Sequence, residues 1–328
     1  MSRTRRVLEV AACAVVASGA CASAPALAQQ AFPNKIVRVI NPNQPGGNSD
    51  ILFRLLSAKM GESLGQQVVV DYRPGAGGNI GAEMTAKAPP DGYTTLIAAA
   101  SFLINPSILK SLPYDAVKDF TPLGLMVDIP AALVTHPSLP VTSVKELIAL
   151  AKSKRGDIFF SSSGAGAVGH LSGELLNALA GTRLIHVPYK GAGPAVVDLV
   201  AGHVQISFVS VPAVITYVQS NRLRMLAQCG ETRFSSIPDV PTMQESGVPG
   251  FVVSSGFSFL GPAGLPRPVV DKLNGALVHA LKDPGNRKAL IERGADPIGS
   301  TPEQHAAYIK SEIDKWHRVV TQAGIKPL

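Results

Sequence analysis

Two glycine-rich turns near the start of the chain hold its most suggestive chemistry: Pro45-Gly46-Gly47-Asn48-Ser49-Asp50 and Pro74-Gly75-Ala76-Gly77-Gly78-Asn79. Each follows a short β-branched run and opens a stretch of helical apolar periodicity. Such a strand-to-helix turn aims free backbone N–H groups and the positive end of a helix dipole at one spot, which suits an anion. Two in succession predict a site for a small carboxylate or phosphate held mostly by main chain. A third turn of this build, Ser162-Ser163-Gly164-Ala165-Gly166-Ala167, stands in the second half, and Gly191-Ala192-Gly193-Pro194 opens a further helix directly after a strand. Ser49 and Asp50 are natural caps for the first helix. Ser49 Oγ and the N–H groups of Gly47 to Ser49 are expected to face the ligand as well.

Other chemistries fit less well. Gly164-Ala165-Gly166-Ala167-Val168-Gly169 matches G-x-G-x-x-G, but the next strand ends His186-Val187-Pro188-Tyr189-Lys190, without the acid that a dinucleotide ribose needs. No G-x-x-x-x-G-K-[ST] phosphate loop and no G-x-S-x-G nucleophile elbow occurs. Ser162 or Ser163 with His170 is the competing reading, a serine nucleophile and base in an exported hydrolase, although no carboxylate stands in evident position to orient His170. The seven histidines are dispersed, with no H-x-x-x-H or H-E-x-x-H spacing, so no metal or other cofactor is expected.

The elements that must position these turns alternate. Strands are predicted over Lys35–Ile40, Gln67–Asp71 and Tyr93–Ala98, with helices over Ser49–Ser63 and Asn79–Lys87 between them. The pattern resumes after Thr135-His136-Pro137: a helix over Ser143–Lys152, then strands at Ile158–Ser161, Arg183–Val187, Val204–Val209 and Leu223–Gln228, with helices at Val168–Leu179, Ala192–Val200 and Val211–Gln219. Phe251–Leu260 reads as a strand, and helices over Pro268–Leu281, Pro284–Arg293 and Pro302–Gln322 close the chain. This order predicts an α/β protein of two doubly wound halves built from parallel βαβ units. The chain crosses between halves near Val127–Ala131 and again near Gly250–Val253. Domain 1 is then residues 29–128 plus 253–328, and domain 2 is residues 129–252. A cleft between the carboxyl ends of both sets of strands is the expected site, closing on a hinge.

Composition fits an exported globular protein. Of 328 residues, 46% are hydrophobic and 16% charged, which excludes disorder. Residues 1–28 read as a signal peptide: basic Met1 to Arg6, apolar Val7 to Ala20, and Ala26-Leu27-Ala28 as the cleavage site. Arg5-Arg6 leaves general secretory and twin-arginine export both open. Losing Arg3, Arg5, Arg6 and Glu9 lowers the formal charge of +7 by two, too small and scattered a balance for nucleic acid. Cys13 and Cys21 leave with the leader, so Cys229 remains alone, a buried small apolar residue without a disulfide partner.

In combination the turns resemble a known family. Val39 to Asp50, Val68 to Ala82, Pro90-Asp91-Gly92-Tyr93-Thr94, Ile104-Asn105-Pro106-Ser107, Gly169 to Leu175, Val187 to Gly191 and Ile237-Pro238-Asp239-Val240-Pro241-Thr242 are similar in order and spacing to the Bug receptors. These are the extracytoplasmic solute-binding proteins of tripartite tricarboxylate transporters. The resemblance implies a type II periplasmic-binding-protein fold in the periplasm, a monomer that closes on one small organic acid and delivers it to a membrane permease pair. A sensory adaptor reporting the acid to a membrane kinase would share the same site. By resemblance, the first domain holds a carboxylate with Gly46, Gly47, Asn48 and Ser49 and with Gly77, Gly78 and Asn79, partly through ordered waters. The second domain supplies Ser162, Ser163, Gly164, Ala165 and Gly166, with His170, and the turn containing Lys190 and Gly191. The chain departs from the family pattern at Asn43, Gln44 and Asn48, at Ser101-Phe102-Leu103 and at Val209. Phe102 and Leu103 are therefore expected to touch the ligand's carbon skeleton, favouring an aromatic or longer dicarboxylate.

Overall fold

The computed structural model describes residues 32–153, 157–253 and 255–327; the signal-peptide reading of residues 1–28 lies outside them. Two sheets organise the chain. The first contains β1 (Val37–Asn41), β2 (Val68–Tyr72), β3 (Thr94–Ala98), β4 (Phe120–Asp128), β10 (Phe257–Pro262) and β11 (Asp296–Pro297), in the order β11-β4-β10-β3-β1-β2. The second contains β5 (Ala131–Thr135), β6 (Phe159–Ser162), β7 (Ile185–Pro188), β8 (Ile206–Ser210) and β9 (Arg224–Gln228), in the order β7-β6-β8-β5-β9. The helices are α1 (Asn48–Leu64), α2 (Asn79–Ala86), α3 (Ser101–Ile108), α4 (Val144–Ser153), α5 (Val168–Ala180), α6 (Ala192–Val200), α7 (Val211–Gln219), α8 (Arg267–Lys282), α9 (Pro284–Glu292) and α10 (Pro302–Gln322).

Both faces of each sheet are covered, which is why the inner strands read as nearly continuous apolar runs. On the first sheet, Val37 and Val39 pack with Phe53 and Leu56 of α1 and Leu273 and Leu277 of α8, whereas Ile40 and Leu96 pack with Phe102, Phe120 and Ile309 on the other face. On the second sheet, Leu133 and Phe208 join Leu171 and Leu175 of α5, and Ala132 and Val134 join Val196 of α6 and Val214 of α7. Helix ends differ from the sequence expectation by a residue or two, the ordinary fraying of helix boundaries.

Three expectations need correction. The halves are not all-parallel: β1 runs parallel to β2 and β3, and β6 to β7 and β8, but β10 is antiparallel to β3 and β4, and β5 to β8 and β9. The reason is topological. β5 and β10 each arrive from the opposite sheet, so they enter against their new neighbours. Second, β4, β5 and α3 lie in stretches assigned no element, because their apolar runs show neither period clearly. Third, the strand predicted from Phe251 starts only at Phe257, since Val253 N–H is drawn to the Cys229 carbonyl at 2.8 Å instead of a ladder partner. Cys229 is buried as expected, and its own N–H reaches Ala131 O at 2.8 Å, so one residue ties both crossovers.

The last helix spans the two sheets. Trp316, Val319 and Val320 of α10, with Ile104 and Ile108 of α3, belong to the same apolar cluster as Leu133 and Phe208 of the second sheet. Beside Trp316, Lys315 Nζ donates to Val252 O on the second crossover at 2.9 Å and to Glu312, which also accepts from Trp316 Nε1 at 3.1 Å. His305, fully buried at the start of α10, accepts from Gly124 N–H at Nδ1 (3.1 Å) and meets Ser258 Oγ at Nε2 (2.8 Å).

Burial pushes His305 from its ordinary 6.5 down to about 3. The native state thus refuses a proton that the unfolded chain accepts below pH 6.5. This contribution to stability is complete above 6.5 and is lost progressively as pH falls toward 3. By pH 4.5 the loss is on the order of 3 kcal/mol. Thermal melts across this window should fall for the native protein and fall less steeply for His305→Asn, which starts lower at pH 7.

Candidate functional site

A cleft of about 370 Å³ lies between the two sheets, at the carboxyl ends of their parallel strands. Its lining includes Asn48, Ala99 to Ser101, Ile129, Ala131, Ser162, Ser163, Ala167 to Gly169, Ser172, Ala192, Ala195, Ser207 to Ser210, Ser255 and Phe257. None of these residues is ionisable. Five helices start here: α1 at Asn48, α3 at Ser101, α5 at Val168, α6 at Ala192 and α7 after Ser210. All five begin without a side-chain cap. Away from the cleft, Asp283 caps α9 and Thr301 closes a capping box on α10; α2 and α8 start without a side-chain cap there, α8 with proline in its first turn. Uncapped starts leave orphan N–H donors and a partial positive charge; Val211 N–H of α7 is taken by Pro130 O at 2.8 Å, and Phe102 and Leu103 N–H of α3 by Ala99 O and Ala100 O at 2.9 and 3.0 Å, so the open donors come chiefly from α1, α5 and α6.

The first glycine-rich turn is held mainly by its own side chains. Gly46 N–H donates to Asp50 Oδ2 at 2.8 Å and Gly47 N–H to Gln44 O at 3.3 Å. Asp50 also accepts from Arg54 Nε (2.7 Å) and Tyr72 OH (2.6 Å). Burial works against its charge, but the bonds from Gly46, Tyr72 and Arg54 prevail and hold the carboxyl below the usual range. Gly47, not Ser49 or Asp50, is the cap residue of α1. Ser49 Oγ donates to Asn41 Oδ1 at 3.0 Å and accepts from Asn43 Nδ2 at 3.1 Å, so the hydroxyl expected to meet a ligand is turned into the protein. Gln44 is exposed and outside the lining; from this turn only Asn48 lines the cleft.

The second turn sits behind the first. Ala76, Gly77 and Gly78 adopt φ of 47°, 65° and 98°, a left-handed run that glycine makes affordable. Gly77, Gly78 and Asn79 border an adjoining void of about 10 Å³ with Asn43, Ser101, Phe102, Asn105 and Tyr114, no more than one water needs. Asn79 Oδ1 accepts from Asn105 Nδ2 (2.9 Å) and Tyr114 OH (2.7 Å). The expectation for Phe102 and Leu103 is corrected here. Phe102 is 4% exposed, stacked on Tyr114 at 5.5 Å and edge-on to Phe120 at 5.0 Å, and Leu103 is buried in the same cluster. They are core, because α3 turns its apolar face toward α10. The apolar surface that does line the cleft comes from Ile129, Val168, Val209 and Phe257.

The third turn brings Ser162 and Ser163 to the cleft but leaves Gly164, Ala165 and Gly166 outside its lining. Gly164 N–H bonds Ser162 Oγ at 3.2 Å, and Gly166 N–H bonds His170 Nδ1 at 3.0 Å. His170 is buried behind the turn and stacks on His186 with centroids 3.8 Å apart; His186 Nε2 lies 2.6 Å from Ser162 Oγ. The two imidazoles thus pin both ends of the turn. His186 was missed by sequence reasoning, though its register opposite Phe160, two residues before Ser162, is the signal that would have found it. The serine–base reading fails on this geometry. Ser162 pairs with His186, not His170, and among the described residues no carboxylate bonds His186. Burial, and then the neighbouring His170, push His186 down to about 4, which makes it a weak base. Gly191 N–H is taken by Ser163 O at 3.0 Å, and Lys190 is exposed outside the lining, whereas Ala192 and Val209 line it. The last glycine of the G-x-G-x-x-G match is a packing device: a Cβ on Gly169 would lie 2.5 Å from Phe208 O. No group of three His, Cys, Asp or Glu able to hold a metal occurs among the described residues, and no helix there is long and apolar enough to cross a membrane.

Two α/β lobes, each with one strand borrowed across a double crossover, and a cleft lined by helix N-termini define a solute-binding protein of the type II periplasmic class. The chain belongs to the tripartite tricarboxylate transporter family receptors, whose family model matches residues 52–325. It is 38% identical over 297 residues to protein BugT of Bordetella pertussis, covering 90% of this chain and 91% of that one. A solved periplasmic transporter shares 41% identity with a TM-score of 0.73, over 90% of this chain and 99% of its own. An R. palustris protein solved with adipate shares 35% identity with a TM-score of 0.74, over 90% and 100%. These relatives are receptors and transport proteins, which fits a chain that binds without turning its ligand over.

Close packing at the third turn can be checked directly. Gly169→Ala should lower stability by roughly 1–3 kcal/mol, because its methyl meets a strand carbonyl that cannot yield. Gly193→Ala, with open space at its Cβ, should leave stability level or slightly raised. Urea denaturation of both variants separates the two outcomes.

Proposed function

We propose that this chain is an extracytoplasmic receptor that captures a small carboxylate between two hinged domains, residues 29–128 with 253–328 and residues 129–252, and delivers it to a membrane permease pair. The observation that carries the reading is the convergence of five uncapped helix starts on one cleft that has no ionisable side chain. Orphan N–H groups held in place stabilise a carboxylate by charge-assisted hydrogen bonds, about twice as strong as neutral ones. Hydroxyls supplement them: among the described residues, those of Ser101, Ser163 and Ser210 have no protein partner and stand at helix starts. Asn48, Ser101, Ser162, Ser163 and Val209 are the contact residues in this reading. Gly46, Gly47, Ser49, Gly77, Gly78, Asn79, Gly164, Gly166, His170 and Gly191 hold the turns in shape. The adipate-bound relative supports a carboxylate as ligand.

A thermal-shift screen of organic acids, with mass spectrometry of whatever co-purifies, tests the proposal. A bound acid at about a hundred times its Kd should add roughly 2.7 kcal/mol of stability; a panel in which no carboxylate raises the melting point refutes it. Val168→Pro examines the donors themselves. Val168 is the first residue of α5, and Ala167 before it is extended, so proline fits there while deleting one N–H. Calorimetry should show affinity for the identified acid down by about 10-fold or more, with the unliganded melting point little changed. Co-purification of a permease rather than a kinase on the mature protein decides between delivery and signalling.

A further inference from the structure

The three glycine-rich turns are braced by different chemistries. A carboxylate, Asp50, holds the first and an amide, Asn79, lies bonded behind the second, whereas the third is held by two imidazoles, groups that change charge just below neutral pH. We propose that the stacked His170–His186 pair is an acid-sensitive catch: neutral rings hold the third turn in place, and a proton on His170 frees Gly166 and slackens the cleft wall that carries Ser162 and Ser163.

The hydrogen bonds define what one proton does. Gly166 N–H donates to His170 Nδ1 at 3.0 Å, so that nitrogen bears no hydrogen and the neutral ring carries its proton on Nε2. A further proton has only Nδ1 to occupy. It turns the acceptor into a donor facing the Gly166 N–H, and the bond is lost. The imidazolium has another partner at hand, because Glu174 Oε1 lies 3.9 Å from Nε2, one turn along α5. Gly164 and Gly166 sit at φ of 149° and 76°, so the released turn is made of residues free to change conformation. Its other end is tied by Ser162 Oγ, 2.6 Å from His186 Nε2 and bonded to Gly164 N–H at 3.2 Å. The two rings therefore act on one short segment, and Ser162 and Ser163 of that segment line the cleft.

The surroundings set where the catch works. The rings stack 3.8 Å apart and 16° from parallel, so a charge on one excludes a charge on the other. Phe160 lies beside both. β6 and β8 carry no titratable residue, and α10 meets α5 through Trp316, Val319 and Val320, with His317 and Arg318 exposed. Arg183 and Lys190, at either end of β7, are exposed as well, and Tyr189 OH is bonded to Asp198. Glu174 is the carboxylate that faces the pair. Burial lowers His170 below its ordinary 6.5 and raises Glu174; burial, then the charge of His170, lowers His186 to about 4. The folded protein thus resists a proton that the unfolded chain accepts. The neutral brace is complete above pH 6.5 and is lost as pH falls from there toward 4.

Imidazole NMR shifts and amide hydrogen exchange on the mature protein, with no acid added, read the catch directly. Between pH 7 and pH 4.5 the His170 ring should titrate, and the protection factor of Gly166 N–H should fall by about 10-fold. Cys229 N–H, bonded to Ala131 O, should stay protected, which separates release of the turn from unfolding. His170→Asn sets an amide oxygen where Nδ1 stands and takes up no proton, so Gly166 protection in that variant should be level across the range. A His170 ring that stays neutral to pH 4.5, a ring that titrates while Gly166 keeps its protection, or a loss that persists in His170→Asn overturns the catch. The consequence for capture rests on the receptor reading, and adipate is the probe for it. Calorimetry at pH 7 and pH 5 should show native affinity falling several-fold more than that of His170→Asn, a comparison that cancels the protonation of adipate itself. Equal falls, or a native affinity that rises at pH 5, overturn the coupling of the catch to the cleft. Adipate that binds neither protein at pH 7 counts against the receptor reading, and the exchange measurement still decides the catch.

Discussion

Every helix must find partners for the N–H groups of its first turn, and this fold brings five helix starts without a side-chain cap to one place. Side-chain caps are available to the chain, as Asp283 and Thr301 show on α9 and α10, and they are missing where α1, α3, α5, α6 and α7 meet the cleft. A cap at those positions would fill the donors from within. Omitting it holds part of the desolvation problem open until an anion arrives. The absence of ionisable groups from the lining follows the same logic. Lysine or arginine would attract any anion through a mobile point charge, whereas fixed N–H groups select by position.

Donors that select by position need rigid turns, and much of the polar chemistry around the cleft serves that end. The Asp50 carboxylate gathers Gly46, Arg54 and Tyr72 so that the first turn keeps its shape. Asn79 does the same for the second turn through Asn105 and Tyr114, and the stacked His170–His186 pair does it for the third through Gly166 and Ser162. Residues that look like ligand contacts in one dimension are, in space, bonded into the turns behind the cleft lining.

The two lobes are joined by more than their crossovers. α10 and α3 insert apolar side chains into the core of the second sheet, and Lys315 reaches the crossover carbonyl of Val252 from a largely buried position. Main-chain and side-chain bonds from both lobes meet near Cys229, Val252 and Asp128.

The amino-acid sequence alone determined the alternation of elements, the three glycine-rich strand-to-helix turns and the family to which they belong. Those features are written in neighbouring residues: β-branched runs, glycines that accept left-handed backbone, and prolines at helix starts. It also pointed to Asn48, Ser101, Ser162, Ser163 and Val209, which line the cleft, because each lies at a strand end or in the turn that follows one. The tertiary structure alone decided which groups face the cleft. Ser49 turns to Asn41, Asn79 to Tyr114, Ser162 to His186 and Phe102 to Phe120, and the last three pairings join residues far apart in the chain. The direction of β5 and β10 was likewise hidden, since a strand's own residues do not record which sheet it leaves. Turn chemistry is local and therefore legible; hydrogen-bond partners and core contacts are long-range, and only folding settles them.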